Sequence, residues 1–240
     1  MEFVRRLPLQ GLYNARDLGG YAVPGGRTRF GVFVRSEAPC ALPPVTVAEL
    51  TRYGIHTAID LRSPAEASLR PSDLRMAMLC CSCPQGGDAE SFSTERPVDW
   101  QQIYITRCED NRPWVRRFLE LAAAARGGML FHCTTGKDRT GLCACFLLSL
   151  AGVDRADIVA DYAVSELYLQ PVFDAMRGGR LRPQGEGTRY HETMFHTPPS
   201  AMEGLLDYLH RTYGSVREYL CTTGVMEETL ETIRKKFVEP

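Results

Sequence analysis

The stretch 127–148 constrains the fold more than any other part of the chain. Gly127-Gly128-Met129-Leu130-Phe131 reads as a short buried strand, and Leu142-Cys143-Ala144-Cys145-Phe146-Leu147-Leu148 as an apolar helix. Between them lies His132-Cys133-Thr134-Thr135-Gly136-Lys137-Asp138-Arg139-Thr140-Gly141. A strand that ends in a tight loop and opens a helix points several backbone N–H groups at one spot. The positive end of the helix dipole adds to that field, so the loop is a ready anion site. A cysteine at its mouth ionises easily, because the same donors stabilise the thiolate. Arg139 supplies a planar fork that matches two phosphate oxygens. These parts together describe a device for taking a phosphoryl group onto sulfur.

A cysteine and an arginine separated by five residues are by themselves a weak signal. The histidine before the cysteine, the turn glycine, and Thr140-Gly141 after the arginine make the string selective, and the strand-before, helix-after context supports it. The string resembles the signature loop of the cysteine-dependent protein tyrosine and dual-specificity phosphatases. The pair Lys137-Asp138 and the stretch Asn14-Ala15-Arg16-Asp17-Leu18-Gly19-Gly20-Tyr21 are similar to the atypical bacterial tyrosine and lipid phosphatases within that superfamily. The resemblance implies an α/β fold in which helices flank a central, mostly parallel sheet, with extra helices at the C-terminus. It implies one phosphatase domain over 1–240, with an N-terminal arm over 1–30. Residues 177–240 then hold a lid and C-terminal helices, although 177–199 reads equally well as a plain connector.

What the resemblance implies for chemistry is specific. Cys133 is the nucleophile, and hydrolysis of phosphotyrosine, with phosphoserine and phosphothreonine beside it, runs through a cysteinyl-phosphate intermediate. Arg139 grips two oxygens and holds the developing charge. Thr134, Thr135 and Gly136 offer backbone N–H groups, His132 orients the loop, and Thr140 donates its hydroxyl to the sulfur. Asp138 is the first candidate for the general acid, with Asp60 and Asp99 as alternates. Lys137 either stands beside the phosphate, favouring substrates more anionic than phosphotyrosine, or is a surface lysine. No metal or cofactor is required. The partner is a phosphorylated protein or a phosphoinositide.

Elsewhere the chain reads as an ordinary globular one. Net charge is −1, so no basic field argues for nucleic acid. Nine cysteines, an odd number scattered through apolar segments, suit a reducing cytosol better than a disulfide framework. Cys80-Cys81-Ser82-Cys83 has poor spacing for a metal site. The N-terminus lacks the apolar run of a signal peptide, and no run approaches a membrane span of ~20 residues. A cytoplasmic location follows as the expectation, with export lacking a classical signal left open. Capping boxes are expected at Thr46/Glu49, Ser200/Glu203 and Ser215/Glu218, and Ser63 followed by Pro64 starts a short helix. The last helix is expected to bury Met226, Leu230, Ile233 and Phe237. Three other activities compete: a strict phosphoinositide phosphatase, a non-catalytic phospho-binding module, and a rhodanese-type sulfurtransferase. The third lacks a reason for the Lys-Asp-Arg-Thr-Gly string.

Overall fold

The structure, a computed structural model, describes residues 4–85, 95–183, 185 and 188–240. In chain order, β1 (Arg16–Asp17) leads through a hairpin of β2 (Ala22–Val23) and β3 (Gly26–Thr28) to β4 (Phe33–Ser36). Helix α1 (Pro44–Arg52) returns the chain to β5 (Ile55–Asp60), and α2 (Pro64–Leu69) leads to the edge strand β6 (Leu79–Ser82). Then come α3 (Trp100–Asp110), α4 (Arg112–Ala124) and the central strand β7 (Gly128–His132). The rest is helical: α5 (Asp138–Ala151), α6 (Arg155–Tyr168), α7 (Gln170–Arg177), α8 (Pro199–Tyr213), α9 (Val216–Thr222) and α10 (Glu227–Phe237). A final short strand, β8 (Val238–Glu239), adds to the β2–β3 hairpin.

The main sheet has the order β1-β4-β7-β5-β6, and only β1 runs antiparallel. The fold is therefore α/β with a mostly parallel sheet flanked by helices. Every residue of β7 is buried, as its unbroken apolar run requires of a strand covered on both faces. Alternation assigns its side chains: Met129 and Phe131 join the large cluster under α4, α5 and α10, while Leu130 joins Val34, Leu50, Ile55 and Ala58 on the opposite face. Helix α5 is buried on nearly all sides, with Leu142 through Leu148 all inaccessible. The parallel register aligns Ser36, His132, Asp60 and Ser82 at the C-terminal ends of their strands. Ligands bind at that end of open α/β sheets.

Two of the expected capping boxes are absent, and in both cases proline starts the helix. Helix α1 begins at Pro44, so Thr46 lies inside the first turn, buried, and its hydroxyl donates to the Gln10 carbonyl. Helix α8 begins at Pro199. Proline's preset φ makes it a good first helical residue without a side-chain cap. The box at Ser63/Glu66 does form, while at Ser215/Glu218 only half of it does: Ser215 Oγ accepts the Glu218 N–H, and the glutamate side chain accepts the Ser215 hydroxyl instead of its backbone N–H. Met226 is exposed, at the N-cap of α10, while Leu230, Ile233 and Phe237 are buried as expected. Helices α3 and α7 were not expected at all. Helix α3 buries only Trp100, Tyr104 and Cys108, a stripe one residue wide in an otherwise polar sequence. Among the described residues no helix is long and apolar enough to cross a membrane.

Candidate active site

The loop 133–137 is held from outside. The Ala38 N–H donates to the Thr134 carbonyl (3.1 Å). Asn14 Nδ2 donates to the carbonyls of Thr135 (3.1 Å) and Gly136 (3.2 Å). Arg35 Nη2 donates to the carbonyls of Gly136 (2.9 Å) and Lys137 (3.4 Å). In a trans peptide the N–H points opposite to the preceding carbonyl. Four carbonyls turned outward therefore turn the N–H groups of 135–138 toward the opposite, inner side. Gly136 makes the turn with φ +69°, and a Cβ there would run into the Ser36 carbonyl, so only glycine fits. Asp138, Arg139 and Thr140 form the first turn of α5, where N–H groups lack helical partners.

The brace is itself anchored by buried charge. Arg16 Nε donates to Asp161 (2.8 Å), and Arg35 pairs with the other oxygen of the same carboxylate. Arg16 Nη1 also reaches the side-chain oxygen of Asn14 (2.5 Å). Burial pushes the Asp161 carboxyl up, but the two arginines outweigh it and hold its pKa below the usual carboxylate range. The stretch 14–21 thus has a position: it is the outer wall of the loop.

Cys133, the first residue of the loop, is 2% exposed. Arg139 Nη1 and Nη2 each donate to a Glu66 oxygen at 2.7 Å, and Nη2 lies 3.3 Å from Thr134 Oγ1. Burial works against the arginine's charge, yet Glu66 and Cys133 raise its pKa. Burial likewise opposes the Glu66 carboxylate, and Arg139 overrides it, holding the pKa at about 2. The Thr140 hydroxyl is buried with no partner among the described residues. Asp138 Oδ1 accepts the Tyr104 hydroxyl (2.6 Å) and lies 3.2 Å from Lys137 Nζ; Tyr104 in turn meets the Tyr162 hydroxyl at 2.9 Å. Lys137 is no surface lysine. It is 1% exposed, donates to the His196 carbonyl (2.9 Å), and sits 3.8 Å from the centre of the Trp100 ring. Burial pulls its pKa down, against the pull of Asp138.

A buried cysteine, a loop whose carbonyls are held from outside and an arginine clamped by Glu66 thus meet at the start of α5. The family model described as the tyrosine phosphatase family matches residues 7–239. The chain belongs to the tyrosine phosphatase family. It is an enzyme of the protein tyrosine and dual-specificity phosphatase class. A tyrosine-protein phosphatase of Nostoc commune is 32% identical over 77% of this chain and 67% of its own length. The triple specificity protein phosphatase PtpB of Mycobacterium tuberculosis is 28% identical over 96% of this chain and 98% of its own. Among solved structures, TpbA of P. aeruginosa gives a loose likeness: 17% identity, TM-score 0.38, over 86% of this chain and 96% of that one.

In this phosphatase the remaining candidates are engaged by other partners. Asp60 is paired on both oxygens with Arg62, at 2.9 and 2.7 Å. Burial pushes its carboxyl up, but Arg62 and His132 hold the pKa below the usual value. Asp99 is exposed and caps α3, accepting the Gln102 N–H (3.1 Å). His132 has Nδ1 3.4 Å from the Cys133 carbonyl and 3.7 Å from Asp60. Its ring lines a cavity of about 470 Å³ together with Asp60, Arg75 and Cys80, and none of Cys133, Thr134 or Arg139 lines that cavity. Burial lowers the His132 pKa to about 4. Sequence reasoning missed Glu66, Tyr104, Asp161 and the bracing roles of Asn14 and Arg35. Glu66 was visible only as part of the short helix that Ser63-Pro64 starts, and Tyr104 lies on a helix that was not expected.

Proposed function

We propose that this phosphatase hydrolyses phosphotyrosine esters, and phosphoserine and phosphothreonine esters beside them, through a cysteinyl-phosphate intermediate on Cys133. The observation that carries the reading is the outward turn of four successive carbonyls, which turns the N–H groups of 135–138 inward, in the loop that joins Cys133 to the clamped Arg139. In the first step Cys133 Sγ attacks phosphorus, and the bond from phosphorus to the ester oxygen breaks. The departing oxygen takes a proton from Asp138. Because Tyr104 and Lys137 occupy Oδ1, that proton rides on Oδ2. In the second step water attacks the phosphoryl group, Asp138 takes up a proton, and sulfur leaves. The Thr140 hydroxyl, buried without another partner, donates to that sulfur and makes it a better leaving group.

The substrates in this reading are phosphoproteins first. The name of the mycobacterial relative, a triple specificity phosphatase, supports more than one class of ester. The ammonium of Lys137, which in the open would attract further phosphates of an inositol ring, is committed to Asp138, Trp100 and His196. Phosphoinositides therefore rank second. A substrate panel decides: phosphotyrosine, phosphoserine and phosphoinositide head groups, each with and without chelator. Turnover of the phosphotyrosine peptide, retained with chelator and lost in Cys133→Ser, is the expected result. Binding of all three without turnover by the wild-type protein would remove the catalytic reading.

A further inference from the structure

We infer that Glu66 is a positioning residue for phosphoryl transfer: from α2 it holds the outer edge of the Arg139 guanidinium and so presents the inner edge to the phosphoryl oxygens. This rests on the cysteinyl-phosphate reading above and deepens it. A guanidinium has five N–H bonds in a fixed plane. Glu66 takes one from Nη1 and one from Nη2, both at 2.7 Å. The Leu61 carbonyl, 3.3 Å from Nη1, takes a third. Thr134 Oγ1 lies 3.3 Å from Nη2 and competes for its second hydrogen. Nε–H has no partner among the described residues, and with Nη2 it forms the edge turned away from the Glu66 clamp. That edge is the pair suited to two oxygens of one phosphoryl group.

Glu66 also organises the loop. Its Oε1 accepts the hydroxyl of Thr134, the residue that follows the nucleophile. Its Oε2 accepts the Ser63 N–H (2.9 Å), and its own N–H donates to Ser63 Oγ (3.2 Å). The Ser63 backbone N–H thus joins Thr134 and Arg139 in holding a carboxylate that four donors share, in a site where its side chain is 15% exposed and that of Arg139 is 12% exposed. Without it, a long arginine side chain would keep only the distant Leu61 and Thr134 contacts, and the inner edge would have no fixed aim. An arginine loses less freedom per hydrogen bond than a lysine only if its fork is already oriented.

The test uses Glu66→Gln, which preserves a capping box but places an NH2 group against an arginine N–H and breaks the two-pronged clamp. With a small aryl phosphate, kcat should fall about 10–100-fold, less than the 10²–10³ that follows outright removal of a transition-state donor. KM should move less than about threefold. Vanadate, which takes the trigonal-bipyramidal shape of the transition state, should lose affinity by a factor comparable to kcat/KM. Inhibition by tetrahedral inorganic phosphate should stay nearly unchanged. Ser63→Ala removes only the hydroxyl that accepts the Glu66 N–H and keeps the backbone N–H that holds Oε2, so it should keep kcat near wild type while lowering the melting temperature. Equal kcat in Glu66→Gln and wild type overturns the inference. So does a loss matched in Ser63→Ala, or one that vanadate does not follow. If the wild-type enzyme itself turns nothing over, the phosphatase mechanism has failed rather than the role of Glu66.

Discussion

Asn14→Ala tests how the cradle is built. Asn14 is fully buried and its Nδ2 serves the carbonyls of Thr135 and Gly136. Gly136 keeps Arg35 as a second donor at 2.9 Å, so only the Thr135 carbonyl is orphaned. An orphaned buried acceptor costs about 1–3 kcal/mol. Arg16 loses the Asn14 side-chain oxygen but keeps the Asn14 carbonyl at 2.9 Å, a further loss of about 1 kcal/mol. The sum, about 2–4 kcal/mol, corresponds to a drop in melting temperature of roughly 4–16 °C for a chain of this size. The effect on rate is separate. If the Thr135 carbonyl turns to find another donor, the N–H of Gly136 leaves the cradle, and loss of one such donor costs about 10²–10³ in kcat. The assay pairs thermal melting with kcat on an aryl phosphate at a temperature where the variant is fully folded. A melting shift of the stated size with kcat within threefold of wild type would refute the reasoning: the loop would hold its carbonyls outward without Asn14.

Cys133→Ser should abolish turnover and still bind vanadate, measured by a melting shift on adding the anion. Asp138→Asn should slow a phosphoserine peptide more than an aryl phosphate, by about 10²–10⁴ for the poorer leaving group. An equal loss on both substrates, or an unchanged alkaline limb of the kcat/KM profile against pH, would move the acid to another residue. Acid should destabilise the fold through His132. Its folded pKa, about 4, lies below its ordinary 6.5, so the unfolded chain takes up the proton first. Stability present above pH 6.5 is therefore lost as pH falls toward 4, by about 3 kcal/mol in total. His132→Gln should flatten that part of a denaturant-midpoint curve against pH. An unflattened curve would place the titration elsewhere.

The strand, loop and helix of the cradle were legible because each is a local pattern. Five apolar residues, a turn glycine and an apolar helix need no long-range partner to be recognised. The parallel sheet order was legible only through resemblance. The braces were not legible at all. Asn14 meets Gly136 across 122 positions, Arg35 meets the same carbonyl across 101, and Glu66 meets Arg139 across 73. No periodicity or spacing encodes such contacts. Glu66 sat in a stretch with a sufficient local explanation, the helix start at Ser63-Pro64, and that explanation concealed its partner in Arg139. Lys137 was misjudged as a surface alternative for a related reason. A lysine between glycine and aspartate looks solvated, and the Trp100 ring that covers it lies on a helix whose narrow apolar stripe gave no signal.

The buried charges around the loop are difficult to justify as stability alone. Arg16, Arg35 and Asp161 are all at most 4% exposed, and taking three charges out of water costs more than their mutual attraction reliably returns. An apolar trio of the same volume would pack as well. It would leave the carbonyls of Gly136 and Lys137 without Arg35, and Asn14 without the Arg16 contact that orients its amide. The N–H groups of 135–138 all point one way, and dipoles so aligned repel one another unless something outside holds their carbonyls. The buried arginines supply the holding from behind, so the cradle keeps its donors aimed before the phosphate arrives. Pre-set donors need no reorganisation as charge develops, which is the condition under which such groups contribute most to rate.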